Sequence, residues 1–258
     1  MSGQVIDQLA ERHRSEALFH DQKYETGSST PRHYRSHPTA PVFERLFSLV
    51  ADNLSRARVL EYGCGTGWIT SLLARRGASV LAFDISPEAV AQTQQVLASQ
   101  GLLQQCDVEV MPGEHLRCDD NSVDTAIGFA ILHHLQLDLA LRELHRVLKP
   151  GGRAVFAEPL DSNPLIRMYR RLTPRYRTPD ERPLDLDTFA AHVRRFSGYS
   201  HQEQLLLASA ALVCCYIPGL SSLAAPLQRL LMKADDAILR AWPSAGRWAW
   251  YTIIVLEK

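Results

Sequence analysis

Residues 56–158 hold most of the side chains suited to chemistry. Near the start, an apolar run ends in Glu61 and breaks into Gly63-Cys64-Gly65-Thr66-Gly67. Glycines let backbone N–H groups approach a ligand, because no Cβ stands between them. A second apolar run ends in Asp84, and a third and fourth end near Phe129 and Glu158. His133 and His134 follow the third of these. An imidazole or a carboxylate at such a place can take a proton from a reacting group near neutral pH.

The glycine spacing narrows the ligand. A loop that cradles the diphosphate of a dinucleotide reads G-x-G-x-x-G. Here the third glycine comes one residue early, and Glu61 precedes the loop. A carboxylate is a poor neighbour for a diphosphate and a good one for an ammonium group. An acid at the tip of the second strand, Asp84, suits two ribose hydroxyls. A nucleoside with a cationic amino-acid tail and no phosphate satisfies all three features. S-adenosylmethionine is such a molecule.

These residues need a scaffold that brings strand ends together. Apolar, β-branched runs at 58–62, 79–83, 108–111, 123–129 and 153–157 read as strands. Helical patterns at 68–76, 87–100 and 137–147 alternate with them. Ser86 before Pro87 is an N-cap signal and Gly101 a C-cap signal. Such alternation predicts an α/β, Rossmann-like, doubly wound sheet, with ligands at the carboxyl ends of its strands. Helices are expected over 1–22 and 42–53, from a cap at Asp187 to 195, and over 219–242; strands are expected at 199–207 and 248–256.

Together, VLEYGCGTG, AFDIS, DDNSVDTAIGFAILHHL and LRELHRVLKPGG resemble the class I S-adenosylmethionine-dependent methyltransferases of the small-molecule type. The resemblance covers residues 56–158 and implies a seven-stranded sheet with its last strand antiparallel. It implies that Glu61, Gly63, Cys64, Gly65 and Gly67 hold the methionine part, that Asp84 takes the ribose hydroxyls and that Ile85 packs on adenine. Gly128, Phe129 and Ala130 would pass beside the sulfonium. Where many relatives carry an aspartate for the adenine amino group, this chain has Pro112. Adenine recognition would then fall to Gly113 or Glu114.

For the acceptor, His133 and Glu158 are the candidate general bases, although a histidine after strand four equally suits helix packing. His20, Tyr24, Tyr34, His134 and Asn163 are candidate pocket residues. Residues 1–55 are expected to form a helical cap on the domain of residues 56–258, with 159–186 and 208–247 as pocket-forming insertions. Residues 161–195 hold eight arginines and five acids, which read as a solvated face with local pairs or as a reader of an anionic head.

Composition excludes several classes. Lys plus Arg and Asp plus Glu both number 28, so no bulk charge draws the chain to nucleic acid. There is no long apolar span and no signal-like start, which points to the cytoplasm. The 219–242 segment has few cations for a membrane surface and is expected to cover the core. Five cysteines at Cys64, Cys106, Cys118, Cys214 and Cys215 match no zinc spacing, so no metal is expected. The expected activity is methyl transfer to oxygen or nitrogen of a small apolar or aromatic acceptor. A non-catalytic S-adenosylmethionine-binding partner, or an enzyme using that cofactor without methyl transfer, competes with it. A nicotinamide-dependent oxidoreductase is disfavoured by the loop spacing. Oligomeric state is not legible.

Overall fold

In the computed structural model, residues 3–26, 39–50, 54–174, 177–178 and 181–258 are described. Helix α1 (Gly3–Thr26) and helix α2 (Ala40–Leu49) precede the sheet. The alternating part comprises β1 (Arg58–Tyr62), α3 (Trp68–Arg75), β2 (Ser79–Asp84), α4 (Pro87–Ser99), β3 (Cys106–Val110), β4 (Val123–Phe129), α5 (Leu137–Val147) and β5 (Leu148–Pro159). Then come α6 (Pro164–Leu172), α7 (Leu186–His192), β6 (Gly198–Gln204), α8 (Ser221–Ala241) and β7 (Tyr251–Glu257).

Seven strands form one sheet in the order β3-β2-β1-β4-β5-β7-β6. β1 pairs in parallel with β2 and with β4, while β7 runs antiparallel between β5 and β6. The chain order reverses beside β1 and β4, so their carboxyl ends flank the switch point where α/β sheets bind ligands.

The strands are apolar on both faces because helices cover both. The two-residue period sorts their side chains into two cores. Val59, Val80, Ile127, Val155 and Ile253 join α2 and α3 on one side. Leu60, Leu81, Ala126, Phe156 and Ile254 join α5 and α7 on the other. Among the described residues, no helix is long and apolar enough to cross a membrane. All five cysteines are buried and unbridged.

Several boundaries differ from expectation for identifiable reasons. β6 stops at Gln204 because Leu205 turns left-handed, at φ 63°. The next three N–H groups, of Leu206, Leu207 and Ala208, all donate to the buried Asp235 carboxylate on α8 at 2.7–3.2 Å. Burial works to raise the Asp235 pKa, and those three donors oppose it. The cap of α7 is Asp185, whose side chain accepts from Thr188 N at 2.9 Å, and not Asp187. Asp185 is the residue with extended backbone ahead of the helix, which an N-cap requires. β7 begins three residues later than expected, because Pro243–Trp248 winds into a 3-10 turn.

Gly128, in β4, packs too tightly for any side chain. A Cβ there would meet the Phe156 ring and Ile131 at 2.7 Å. Gly128→Ala should therefore lower the unfolding free energy by about 1–3 kcal/mol, the usual cost of overpacking, as read by chemical denaturation.

Candidate functional site

A cavity of about 460 Å³ opens at the carboxyl ends of β1, β2, β4 and β5. That size falls in the range of small-ligand sites, roughly 300–1,000 Å³. Its floor is the glycine loop. Gly63, Gly65 and Gly67 all take left-handed backbone, with φ of 74°, 51° and 74°. Gly63 N and Cys64 N both donate to Phe83 O, which ties the loop to the end of β2. A Cβ on Gly65 would also crowd the Tyr24 hydroxyl at 3.0 Å.

Glu61 ends β1 inside this floor with 1% exposure. Its Oε2 accepts a 2.6 Å hydrogen bond from Thr70 Oγ1, while Oε1 is buried without a partner. Burial pushes its pKa up to about 8; Thr70 opposes this, and the nearby Asp84 charge adds to it. An unpaired buried carboxylate oxygen on a cavity wall is a ready acceptor for an ammonium group.

Asp84 lies beside it. Its two oxygens accept from Gly65 N and from Ser86 N, each at 3.0 Å. Ile85, Met111, Gly113 and Glu114 continue the wall. Glu114 is already engaged: Oε1 accepts from Gln136 N at 2.8 Å and Oε2 meets His13 Nε2 at 3.1 Å.

On the opposite side, β4 runs into a loop that Glu158 organises. This carboxylate is wholly buried, and its Oε1 accepts from both Ile131 N and Leu132 N at 2.8 Å. Its Oε2 lies 2.7 Å from His133 Nδ1. The other ring nitrogen, Nε2, stands 3.9 Å from Glu181 Oε1. Ala130 enters the loop with left-handed φ of 54°, unusual for a residue with a Cβ, and its N–H donates to Ala157 O.

Helix α1 closes the cavity from above. Arg12 Nη2 donates to His134 O at 2.6 Å. At its far end the Asp21 carboxylate accepts from Ser86 Oγ and from Glu88 N at the start of α4. Between these anchors α1 presents Glu16, Phe19 and His20 to the cavity, and just past Asp21 it presents Lys23 and Tyr24. Burial lowers the Lys23 pKa and raises that of Tyr24. A third wall is aromatic: Phe43 of α2 stacks on Phe129 at 3.9 Å, and Phe129 stacks on Tyr251 of β7 at 5.6 Å.

Of the residues singled out in the sequence, Glu61, Gly63, Cys64, Gly65, Asp84, Ile85, Gly113, Glu114, Phe129, Ala130, His133, His134, His20 and Tyr24 line the cavity. Gly67, Gly128, Glu158 and Asn163 do not. Gly67 starts α3, where Thr93 blocks any Cβ, and Gly128 lies in packed core. Glu158 reaches the cavity only through His133. Asn163 caps α6 by accepting from Ile166 N, and its amide donates to Trp248 O at 2.7 Å. Tyr34 lies outside the described residues. Within 159–186, α6 and the segment between it and α7 bring Ile166, Tyr169, Arg170, Arg177 and Glu181 to the cavity, whereas 208–247 contribute no lining residue. Asn163-Pro164 was the available signal for α6, being a cap followed by proline at the first helical position. Arg170 pairs with Glu181 at 2.7 Å, so this part of the arginine-rich stretch is locally neutralised.

Glu61 generates a stability signature. Its folded-state pKa is raised, so the folded chain retains a proton that the unfolded chain loses near 4.5. That stability is full below the unfolded value and declines as pH rises toward about 8. Denaturant unfolding of Glu61→Gln across this window should lack the decline that the wild type shows.

Comparison with known proteins places this geometry. Residues 60–156 match the family model described as a methyltransferase domain. The chain is 32% identical over 161 residues to the biotin biosynthesis bifunctional protein BioHC of Cellvibrio japonicus, covering 62% of this chain and 28% of that one. It is 36% identical over 118 residues to the ubiquinone/menaquinone biosynthesis C-methyltransferase UbiE of Rubrivivax gelatinosus, covering 45% of each. This chain thus spans less than half the length of those two relatives. Among solved structures, phosphoethanolamine N-methyltransferase 2 of Haemonchus contortus, in complex with phosphomonomethylethanolamine and S-adenosylhomocysteine, shares the fold. The TM-score is 0.62 at 14% identity, over 84% of this chain and 52% of that one. The strand order with its antiparallel β7 and the cavity at the switch point agree with that match: residues 60–156 resemble a methyltransferase domain.

Proposed function

We propose that the protein transfers the methyl group of S-adenosylmethionine to an oxygen or nitrogen of a small apolar or aromatic acceptor. One observation carries this reading: a single cavity is lined by Glu61, with its unpartnered Oε1, and by Asp84, and also by an aromatic wall and His133, which Glu158 holds from behind.

The residues present fit the cofactor. Glu61 Oε1 suits the ammonium of its amino-acid tail, and the bared loop at Gly63–Gly65 suits the adjoining backbone contacts. Asp84 suits the ribose hydroxyls, and Ile85 with Met111 offers an apolar surface to the base. The backbone around Gly113 is the remaining candidate for the adenine amino group, because Glu114 is engaged by Gln136 and His13. When bound, S-adenosylmethionine supplies an electrophilic methyl carbon on a good leaving group, so the chain's task is alignment and exclusion of water.

The acceptor would lie against Phe129, Phe43 and Tyr251. His133 Nε2 accepts the proton of an acceptor hydroxyl, and Glu158 fixes the tautomer and steadies the imidazolium that forms. Ala130, left-handed just after β4, lines the same cavity. Residues 1–55 and 159–186 act as the walls that define the acceptor, and the central sheet serves the donor.

Three measurements test this. Calorimetric binding of S-adenosylhomocysteine should weaken by about 1.5–3 kcal/mol in Asp84→Ala, the loss of hydrogen bonds to a charged group. Affinity for the same ligand should rise with pH up to about 8 as Glu61 ionises, and Glu61→Gln should flatten that profile. With an acceptor found by radiolabelled methyl incorporation, His133→Gln should lower kcat by about 10²–10⁴-fold with cofactor affinity unchanged. Unaltered turnover would remove His133 from the reaction. Tight cofactor binding with no acceptor ever labelled would favour a binding module instead.

A further inference from the structure

We infer that Glu16, His20 and His134 form a binding site for a first-row divalent transition cation of the zinc type, on the wall of the same cavity. Glu16 and His20 stand one turn apart on α1, so their side chains share a face. His134 comes from the short turn after β4. Glu16 Oε2 lies 3.1 Å from His134 Nδ1 and 3.5 Å from His20 Nε2. The donor atoms of all three residues lie within 4.8 Å of one another.

Distance and direction disagree in an informative way. Both Glu16 oxygens and His134 Nδ1 are buried, yet none has a hydrogen-bond partner. The separations are those of hydrogen bonds, and the geometry of hydrogen bonds is not met. Two ligand atoms held about 2.0–2.1 Å from a tetrahedral zinc ion lie roughly 3.3 Å apart, which the two measured separations bracket.

The chemistry of the set agrees. Two imidazoles and one carboxylate suit zinc and its neighbours, whereas magnesium and calcium prefer oxygen alone. The frame is fixed from both sides: Arg12 ties His134 O to α1, and Asp21 ties α1 to α4.

A second group, His133, His134 and Glu181, is less suited. Glu181 already pairs with Arg170 at 2.7 Å and stands 3.8 Å from Arg177. A cation there would have to displace two guanidinium groups. Glu16, His20 and His134 all line the cavity, so an ion held by them keeps an open position toward whatever small molecule the cavity takes. Three protein ligands with one open position is the pattern of zinc sites that act on a ligand. Sequence spacing did not expect a metal, because only the fold brings His134 to α1.

The test uses the untagged full chain after chelator treatment. Zn²⁺ titrated by calorimetry should bind at one equivalent, and Co²⁺ should give d–d absorption without a thiolate charge-transfer band. His20→Ala and Glu16→Gln should each weaken binding by at least roughly 10- to 100-fold, with the circular dichroism of His20→Ala unchanged. If Glu16→Gln fails to fold, the less buried His20→Ala still decides the matter. No binding, binding unaltered by His20→Ala, or a cobalt–thiolate band that puts the ion on a cysteine would overturn the site.

Discussion

The buried carboxylate of Glu158 shapes the half of the cavity lined by His133 and His134. A charge with no exposure must be met by donors, and three converge on it from the turn after β4. Meeting that need bends the chain sharply at Ala130. It sets His133 with Nδ1 inward, and it presents His134 to α1. A polar requirement in the core thus becomes the geometry of the rim.

The other half depends on a different unmet need. Glu61 has one oxygen satisfied by Thr70 and one left without a partner, in surroundings that disfavour its charge. Asp84 sits close by and spends its oxygens on the loop backbone. This end of the cavity is therefore electrostatically unfinished in the free protein, which is what the proposed function assigns to a cationic tail. The glycine loop stays open because its left-handed turns disfavour side chains, and a Cβ at Gly65 or Gly67 would crowd Tyr24 or Thr93 at 3.0 Å.

Helix α1 joins the two halves. Its contacts run from His134 and Glu114 at one end to Ser86 and Glu88 at the other. It covers the cavity with side chains of both charge signs, so the lid takes part in the site's electrostatics. The aromatic stack of Phe43, Phe129 and Tyr251 comes from three distant parts of the chain and gives the acceptor end its apolar character.

The central sheet and the donor loop were legible in the sequence, because both are local. RVLEY and SVLAFD are short apolar runs whose two-residue period supplies both cores, and the spacing of Gly63, Gly65 and Gly67 needs no distant partner to be read. Asn163 and Gly128 show the limit. Each looks like a site residue by type, and each proves to be a cap or a packing position, since burial decides between such roles and burial is a property of the whole fold. Helix α6 was hidden by the arginines around it, although Asn163-Pro164 marked its start. What only the tertiary structure decided is which polar groups share a space: Glu158 with His133, Asp235 with the turn after β6, and Glu16 and His20 with His134. The sequence by itself determined the donor's chemistry, because that site is one loop and two strand ends. The rest of the cavity is assembled from α1, α2, β4, α6 and β7, and no local pattern encodes contacts between segments so far apart.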